Sequence, residues 1–348
     1  MRLPFVSILL VVRNGKDYLQ DCIDSLIYQD YPREKMEFLF IDGCSEDGTY
    51  ALLEQKVAEL KQQDYQARIF VNEKKILASG WNLGIREAHG DYVCRIDAHS
   101  RIPQNFVRKN VACIAKGEKI VGGMRITEFP KDKSSYLLFL AEKSKFGSGI
   151  ANYRHKQKAG YVDTIAHAVY SREVFIKVGG YNECLIRNQD MEIHYRMKKA
   201  GFKFFYDPTI KSYHLARNKF SELLKQKYGN GKWIALTLMF QPKCFAVRHY
   251  VPFIFTFSLI MSLLIGLLGN WMFLKLLSSA YLVGAFIFTF KALLDKNSKG
   301  VRLFCFLLPI IFLSMHLTYG LGTIVGFMQM PFFVWKNKGY KIPFSIKS

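Results

Sequence analysis

The chain has 348 residues, half of them hydrophobic, yet it carries 49 Lys and Arg against 28 Asp and Glu, a formal net charge of +21. That apolar fraction excludes a disordered or low-complexity chain, and the length accommodates one large domain with an appendage. Seven scattered cysteines, odd in number and without a Cys-x-x-Cys pair, exclude a disulfide framework and point to free thiols in a reducing compartment.

Val6 to Val12 is a continuous aliphatic run closed by Arg13-Asn14-Gly15, the pattern of a strand buried on both faces of a parallel sheet. It is too short for the apolar region of a signal peptide, so the N-terminal domain is expected in the cytoplasm. Leu19, Cys22, Ile23 and Leu26 at helical spacing predict a helix over 16–29. A strand over 37–41 runs into Asp42-Gly43-Cys44-Ser45-Glu46-Asp47-Gly48-Thr49, and a helix over 50–62 follows. A strand over 68–72, a helix over 79–89 and a strand over 91–96 complete an alternation that predicts a doubly wound α/β sheet. Ligands bind such sheets beyond the carboxyl ends of the strands, where Asp42, Asp97 and His99 all fall. Asp97 and His99, two residues apart, would project together from a strand end and hold a divalent cation, which in turn could hold a diphosphate. A plain polar turn is the competing reading of Asp97-Ala98-His99, as a capped turn is for Asp47.

Further on, residues 134–160 are basic and aromatic, with Lys143, Lys145, Arg154, His155, Lys156 and Lys158 offering either a lipid-diphosphate contact or a solvated face. Asp190 opens a helix over 191–200, where an acid serves either as a base or as a partner of the helix dipole. His214 is either a metal or phosphate ligand or a structural histidine. From Lys199 to Arg248 there are ten Lys and Arg against Asp207 and Glu222, which fits an anionic membrane surface better than nucleic acid because apolar segments follow.

These motifs, in this order, resemble family 2 glycosyltransferases of the GT-A fold. The resemblance runs over residues 4–235 and is carried by Val6 to Asn14, Asp42 to Thr49, Gly80-Trp81-Asn82-Leu83-Gly84, Asp97-Ala98-His99, Gly179-Gly180-Tyr181 and Gln189-Asp190. More narrowly, Arg95-Ile96-Asp97-Ala98-His99-Ser100 looks like the succinoglycan-biosynthesis type, which writes the usual Asp-x-Asp as Asp-Ala-His. The resemblance implies a nucleotide site at Val12, Asn14, Asp42, Asn82 and Asp97. It implies a Mg²⁺ or Mn²⁺ ion at Asp97 and His99, with His214 as a further ligand. Asp190 matches the catalytic base of inverting members, and Gly180, Tyr181, Gln189, Lys232 and Trp233 match the acceptor and diphosphate side. Asn182 and Gln189 replace the usual Asp and Glu, and Lys232 stands where polymerising relatives carry Arg. For Lys232 a membrane-facing basic helix is the alternative.

The remainder is apolar. Spans are expected over 251–269 and 271–294, joined at Gly269-Asn270. The stretch 303–335 is too long for one ordinary span, and the basic residues at 295–302 and 336–348 favour the cytoplasm. Four crossings, or two with a re-entrant or interfacial helix, satisfy both conditions, and His316 is a polar site within the last stretch. The expected domains are thus a GT-A domain over 1–235, a basic connection over 236–250, a membrane region over 251–335 and a basic tail. The expected activity is transfer of a hexose from a UDP-sugar to a polyprenyl-diphosphate-linked saccharide for exopolysaccharide or capsule. The expected location is the cytoplasmic face of a bacterial plasma membrane, without nucleic acid. Direct transfer to polyprenyl phosphate and a catalytically inactive membrane scaffold are the alternatives; a processive synthase is disfavoured by the missing Gln-x-x-Arg-Trp.

Overall fold

The structure is a computed structural model that describes residues 3–128, 133–147, 157–215, 219–294 and 296–343. Arg154, His155, Lys156 and Arg217 lie outside the described residues. The strands are β1 (Val6–Val12), β2 (Met36–Asp42), β3 (Gln66–Val71), β4 (Tyr92–Asp97), β5 (Ser100–Arg101), β6 (Ile120–Glu128), β7 (Gly160–Val162), β8 (Ala168–Ser171) and β9 (Phe204–Leu215). The helices are α1 (Lys16–Ile27), α2 (Thr49–Gln62), α3 (Leu77–Glu87), α4 (Phe106–Ile114), α5 (Lys133–Lys143), α6 (Arg172–Val178), α7 (Gln189–Lys199), α8 (Phe220–Thr237), α9 (Val251–Leu267), α10 (Met272–Leu294) and α11 (Leu308–Lys336). The chain divides into two compact units, Met1–Thr127 with Asn152–Leu215 and Gly339–Ser348, and Glu128–Ala151 with Ala216–Lys338.

In the first unit the strands form one sheet in the order β3-β2-β1-β4-β8-β6-β9-β5, with β7 on β9. The pairs β3-β2, β2-β1 and β1-β4 are parallel. Beyond β4 the pairings through β8 turn antiparallel. The run Val6–Val12 is buried throughout because it feeds two cores. Val6, Ile8, Leu10 and Val12 point to one, packed with residues of α1, α2 and α4. Leu9 and Val11 point to the other, packed with residues of α3, α6 and α7. Strand alternation thus puts helices on both faces of the sheet. At the amino ends of the strands, buried Glu37 accepts hydrogen bonds from Ser7 Oγ (2.6 Å), His89 N (2.6 Å) and Arg68 Nη2 (2.8 Å).

In the second unit, α8 and α11 lie with backbones in contact. A Cβ on Gly231 would sit 2.0 Å from the Tyr319 carbonyl oxygen, and one on Gly322 2.2 Å from that of Tyr228. These glycines therefore serve a helix contact, and α11 runs unbroken through them. Residues Lys296–Leu307 ahead of it form 3₁₀ turns. His316 is used for packing: its Nδ1 lies 2.9 Å from Tyr281 Oη and its Nε2 2.8 Å from the Phe146 carbonyl oxygen. By length and composition, Met272–Leu294 and Arg302–Lys336 can cross a membrane, while the apolar α9 has 17 residues.

One buried group makes the first unit pH-sensitive. His194 on α7 sits within 2.8 Å of Thr164 Oγ1 and 3.0 Å of Tyr170 Oη, with Phe204 edge-on. Burial pushes its pKa down from 6.5 to about 4. The unfolded chain takes up a proton near 6.5, so below that pH it binds more protons than the folded chain, and stability falls as pH drops towards 4. At pH 5 the loss amounts to roughly 2 kcal/mol. His194→Gln should shrink the difference in melting temperature between pH 7 and pH 5; an unchanged difference would contradict this assignment.

Candidate active site

The register of the parallel strands sets the site. Val12 pairs with Asp42 and Val11 with Asp97, so the two acids flank β1 at its carboxyl edge, one residue step apart along it. With two strand spacings between them they stand about 10 Å apart. Asp42 is buried. Its Oδ2 accepts from Ser45 N at 2.9 Å, and its Oδ1 is buried without a hydrogen-bond partner. A buried carboxylate oxygen left unpaired is costly, which marks a position for a ligand donor.

The loops after β1 and β2 are stitched to each other beside Asp42. The Val12 carbonyl oxygen accepts from Gly43 N (2.8 Å). Asn14, at φ 50°, accepts from Glu46 N on its Oδ1 (2.9 Å), and its own N–H donates to Ser45 Oγ (2.9 Å). Asp47 is the turn stitch of the pair: it accepts from Lys16 N and from both the N–H and the hydroxyl of Thr49.

On the other side of β1, the Arg95 side chain lies in the second core, 4.7 Å over the Trp81 ring. It donates to both Asp190 oxygens, at 2.5 and 3.1 Å, to Asp97 Oδ1 at 3.3 Å and to Tyr181 Oη at 3.2 Å. One guanidinium thus joins the acid at the end of β4 to the acid in the first turn of α7. Burial works against the charge on Arg95, but Asp190, Tyr181 and Asp97 outweigh it and raise its pKa further. Burial likewise pushes the Asp97 carboxyl up, and Arg95, His167 and His99 more than offset it, holding Asp97 ionised well below the usual carboxylate range.

β4 ends at Asp97, and Ala98-His99 form a turn, so the two-residue alternation of a strand does not extend to His99. The turn brings the His99 ring 4.5 Å, centre to centre, from that of His214 on β9, where Ser100 pairs with His214. Burial first, with Arg125 and His99 adding to it, pushes the His214 pKa down to about 2, so the ring is neutral. Its buried Nδ1 has no hydrogen-bond partner. Among the described residues no three or more His, Cys, Asp or Glu side chains are grouped so as to hold a metal by themselves.

Asn82 on α3 holds the loop Gly179–Glu183. Its Nδ2 donates to the Tyr181 carbonyl oxygen (2.9 Å) and Glu183 Oε1 (2.8 Å), and its Oδ1 accepts from Tyr181 N (2.6 Å). Arg196 donates to the carbonyl oxygens of Val178 and Gly180. Gln189 is buried at the start of α7. Lys232 and Trp233 belong to α8 in the second unit, where Trp233 packs edge-on against Phe333.

Two participants lacked an assignment in the sequence. Arg95 carried a signal, because a charge in the middle of an apolar strand, two residues before Asp97, shares its face. His167 carried none. It is fully buried, with Nε2 3.3 Å from Asp97 Oδ2 and 3.2 Å from Ser100 Oγ, and Nδ1 2.9 Å from Ser212 Oγ.

Residues 7–179 match the family described as Glycosyl transferase family 2. The chain belongs to that family. It is a glycosyltransferase, and its mixed sheet with helices on both faces is the GT-A fold. Among its relatives is the dolichyl N-acetyl-alpha-D-glucosaminyl phosphate 3-beta-D-2,3-diacetamido-2,3-dideoxy-beta-D-glucuronosyltransferase of Methanococcus voltae, 27% identical over 272 residues, 76% of this chain and 83% of the relative. The succinoglycan biosynthesis protein ExoA of Rhizobium meliloti is 27% identical over 215 residues, 61% of this chain and 63% of that protein. Glycosyltransferase AglE of Haloferax volcanii is 26% identical over 241 residues, 66% of this chain and 73% of that one. The mannosyltransferase PcManGT of Pyrobaculum calidifontis, solved with GDP-Man and Mn²⁺, superposes with a TM-score of 0.56 at 17% identity, over 91% of this chain and 87% of that chain, which shows a shared fold.

Removal of the Arg95 charge leaves two carboxylates facing each other without a cation. Arg95→Met should lower the stability measured by chemical denaturation by about 3 kcal/mol, the low end for a broken buried pair because Asp190 is partly exposed. Arg95→Lys should recover only part of this, since an ammonium is not a fork that spans two acids. A loss below about 1 kcal/mol in Arg95→Met would contradict the bridge.

Proposed function

We propose that this site is inverting and moves a hexose from a nucleotide-diphospho-sugar, a UDP-sugar, to a polyprenyl-diphosphate-linked saccharide. The product would enter exopolysaccharide or capsule, and transfer would occur at the cytoplasmic face of the plasma membrane. The observation that carries the reading is the shared guanidinium of Arg95, which holds Asp97 and Asp190 in one pocket at the carboxyl edge of the sheet. Asp42, with its unpaired Oδ1, receives an N–H or O–H of the nucleoside, beside the loops that Asn14 and Val12 stitch together. Asp190 accepts the proton of the acceptor hydroxyl as that oxygen attacks the anomeric carbon. Gly180, Tyr181 and Gln189 line the acceptor side.

The donor set fits a divalent ion, Mg²⁺ or Mn²⁺. Asp97 is ionised, and His214 is neutral with a buried, unpartnered nitrogen beside the His99 ring. Hard cations of this kind are commonly held by one or two protein carboxylates together with substrate phosphates and water, without an all-protein cage. Asp97, His99 and His214 would hold the ion, which supplies neutralisation of the leaving diphosphate. The succinoglycan relative supports an exopolysaccharide product, and the Methanococcus relative, named for a dolichyl-linked sugar phosphate, supports a lipid-linked acceptor. The long apolar helices support a membrane location.

Release of nucleotide from a UDP-sugar, with a lipid-diphosphate saccharide present, tests the reading. Asp190→Asn should lower kcat by about 10²- to 10⁴-fold, with donor KM changed far less. Unchanged turnover in that variant would contradict the base assignment.

A further inference from the structure

The segment that follows the last apolar helix returns to the first unit. The Tyr340 hydroxyl oxygen accepts from Glu183 N at 2.8 Å, and the Pro343 carbonyl oxygen accepts from Gly180 N at 2.9 Å. Both donors belong to the loop Gly179–Glu183. The loop's other bonds run to Asn82 and Arg196, while the N–H groups of Gly180 and Glu183 go to Pro343 and Tyr340. Gly179 makes the approach possible. It has φ 77°, and a Cβ there would lie 3.3 Å from the Pro343 carbonyl oxygen and 3.4 Å from Ile342 Cγ2.

We propose that Tyr340–Pro343 form a strap whose hydrogen bonds to Gly180 and Glu183 fix the loop that carries Tyr181, so that Tyr340 is a positioning residue for the acceptor side of the site. The effect passes through Tyr181, whose hydroxyl oxygen accepts from the same Arg95 that holds Asp97 and Asp190. The part of the inference that concerns turnover rests on the function proposed above; the docking itself does not. Docking also sets a parity. A chain that leaves this unit at Leu215 and rejoins it at Gly339 crosses any bilayer between those points an even number of times. That condition is met when two of the three apolar helices α9, α10 and α11 span and the other does not.

Hydrogen exchange read by mass spectrometry on the full chain in detergent tests the docking without reference to catalysis. Truncation after Lys338 should speed exchange of the 179–184 peptide by about tenfold, and Tyr340→Phe should speed it at Glu183, with the β1 and β4 peptides unchanged. Exchange at this loop that is the same in Tyr340→Phe and in the truncated chain as in the unaltered chain overturns the strap. If truncation unprotects the whole sheet, Tyr340→Phe alone decides: faster exchange at Glu183 supports the strap and unchanged exchange overturns it. In the nucleotide-release assay, Tyr340→Phe should raise acceptor KM by about fivefold and leave donor KM unchanged, whereas equal changes in both would overturn the positioning role. If the unaltered protein releases no nucleotide from any UDP-sugar, the proposed function fails, while the exchange result still judges the strap.

Discussion

The Arg95 guanidinium is buried beneath the carboxyl edge of the sheet, and its charge has to be met where it stands. An unpaired charge in that position would cost far more than the few kilocalories by which a domain is stable. Asp97 and Asp190 meet it, and Tyr181 and the face of Trp81 complete its surroundings. The consequence is geometric. The end of β4, the start of α7 and the loop carrying Tyr181 come from three distant parts of the chain, and one planar fork holds them in register. The same contact keeps Asp97 ionised.

The parallel half of the fold was legible because its physics is local. Val6–Val12 is apolar at every position since both faces are covered, and the acids that terminate β2 and β4 follow directly from where those runs stop. The antiparallel half was not legible. β7 and β8 span three and four residues, too few to show a period, and their pairing is fixed by contacts with strands far along the chain. His167 illustrates the limit. It reaches Asp97 across 70 residues from the approach to a four-residue strand, and nothing around it in the sequence distinguishes it from a core histidine. His99 shows a different limit, because strand alternation placed it with Asp97, whereas a turn places it against His214. Asn82 stood in a recognisable motif, yet its hydrogen bonds to Tyr181 and Glu183, about a hundred residues on, could not be read from that motif.

In the apolar part, glycines that look like breaks in a long hydrophobic run are contact points. Gly320, Gly322 and Gly326 each face another helix at a distance no Cβ would allow, and α11 runs continuously through them. His316 follows the same rule, with both ring nitrogens used by Tyr281 and the Phe146 carbonyl. The glycines and His316 in this unit therefore report on packing.

At the centre stands a proposed division of labour between two acids that share one arginine, in which Asp97 would serve the nucleotide diphosphate and Asp190 the acceptor. Calorimetric titration of UDP with Mn²⁺ into the unaltered protein, Asp97→Asn and Asp190→Asn tests it most directly. The account predicts that Asp97→Asn weakens UDP binding at least about tenfold, while Asp190→Asn leaves the Kd within about threefold. Equal weakening by both substitutions, or undiminished binding in Asp97→Asn, would contradict it.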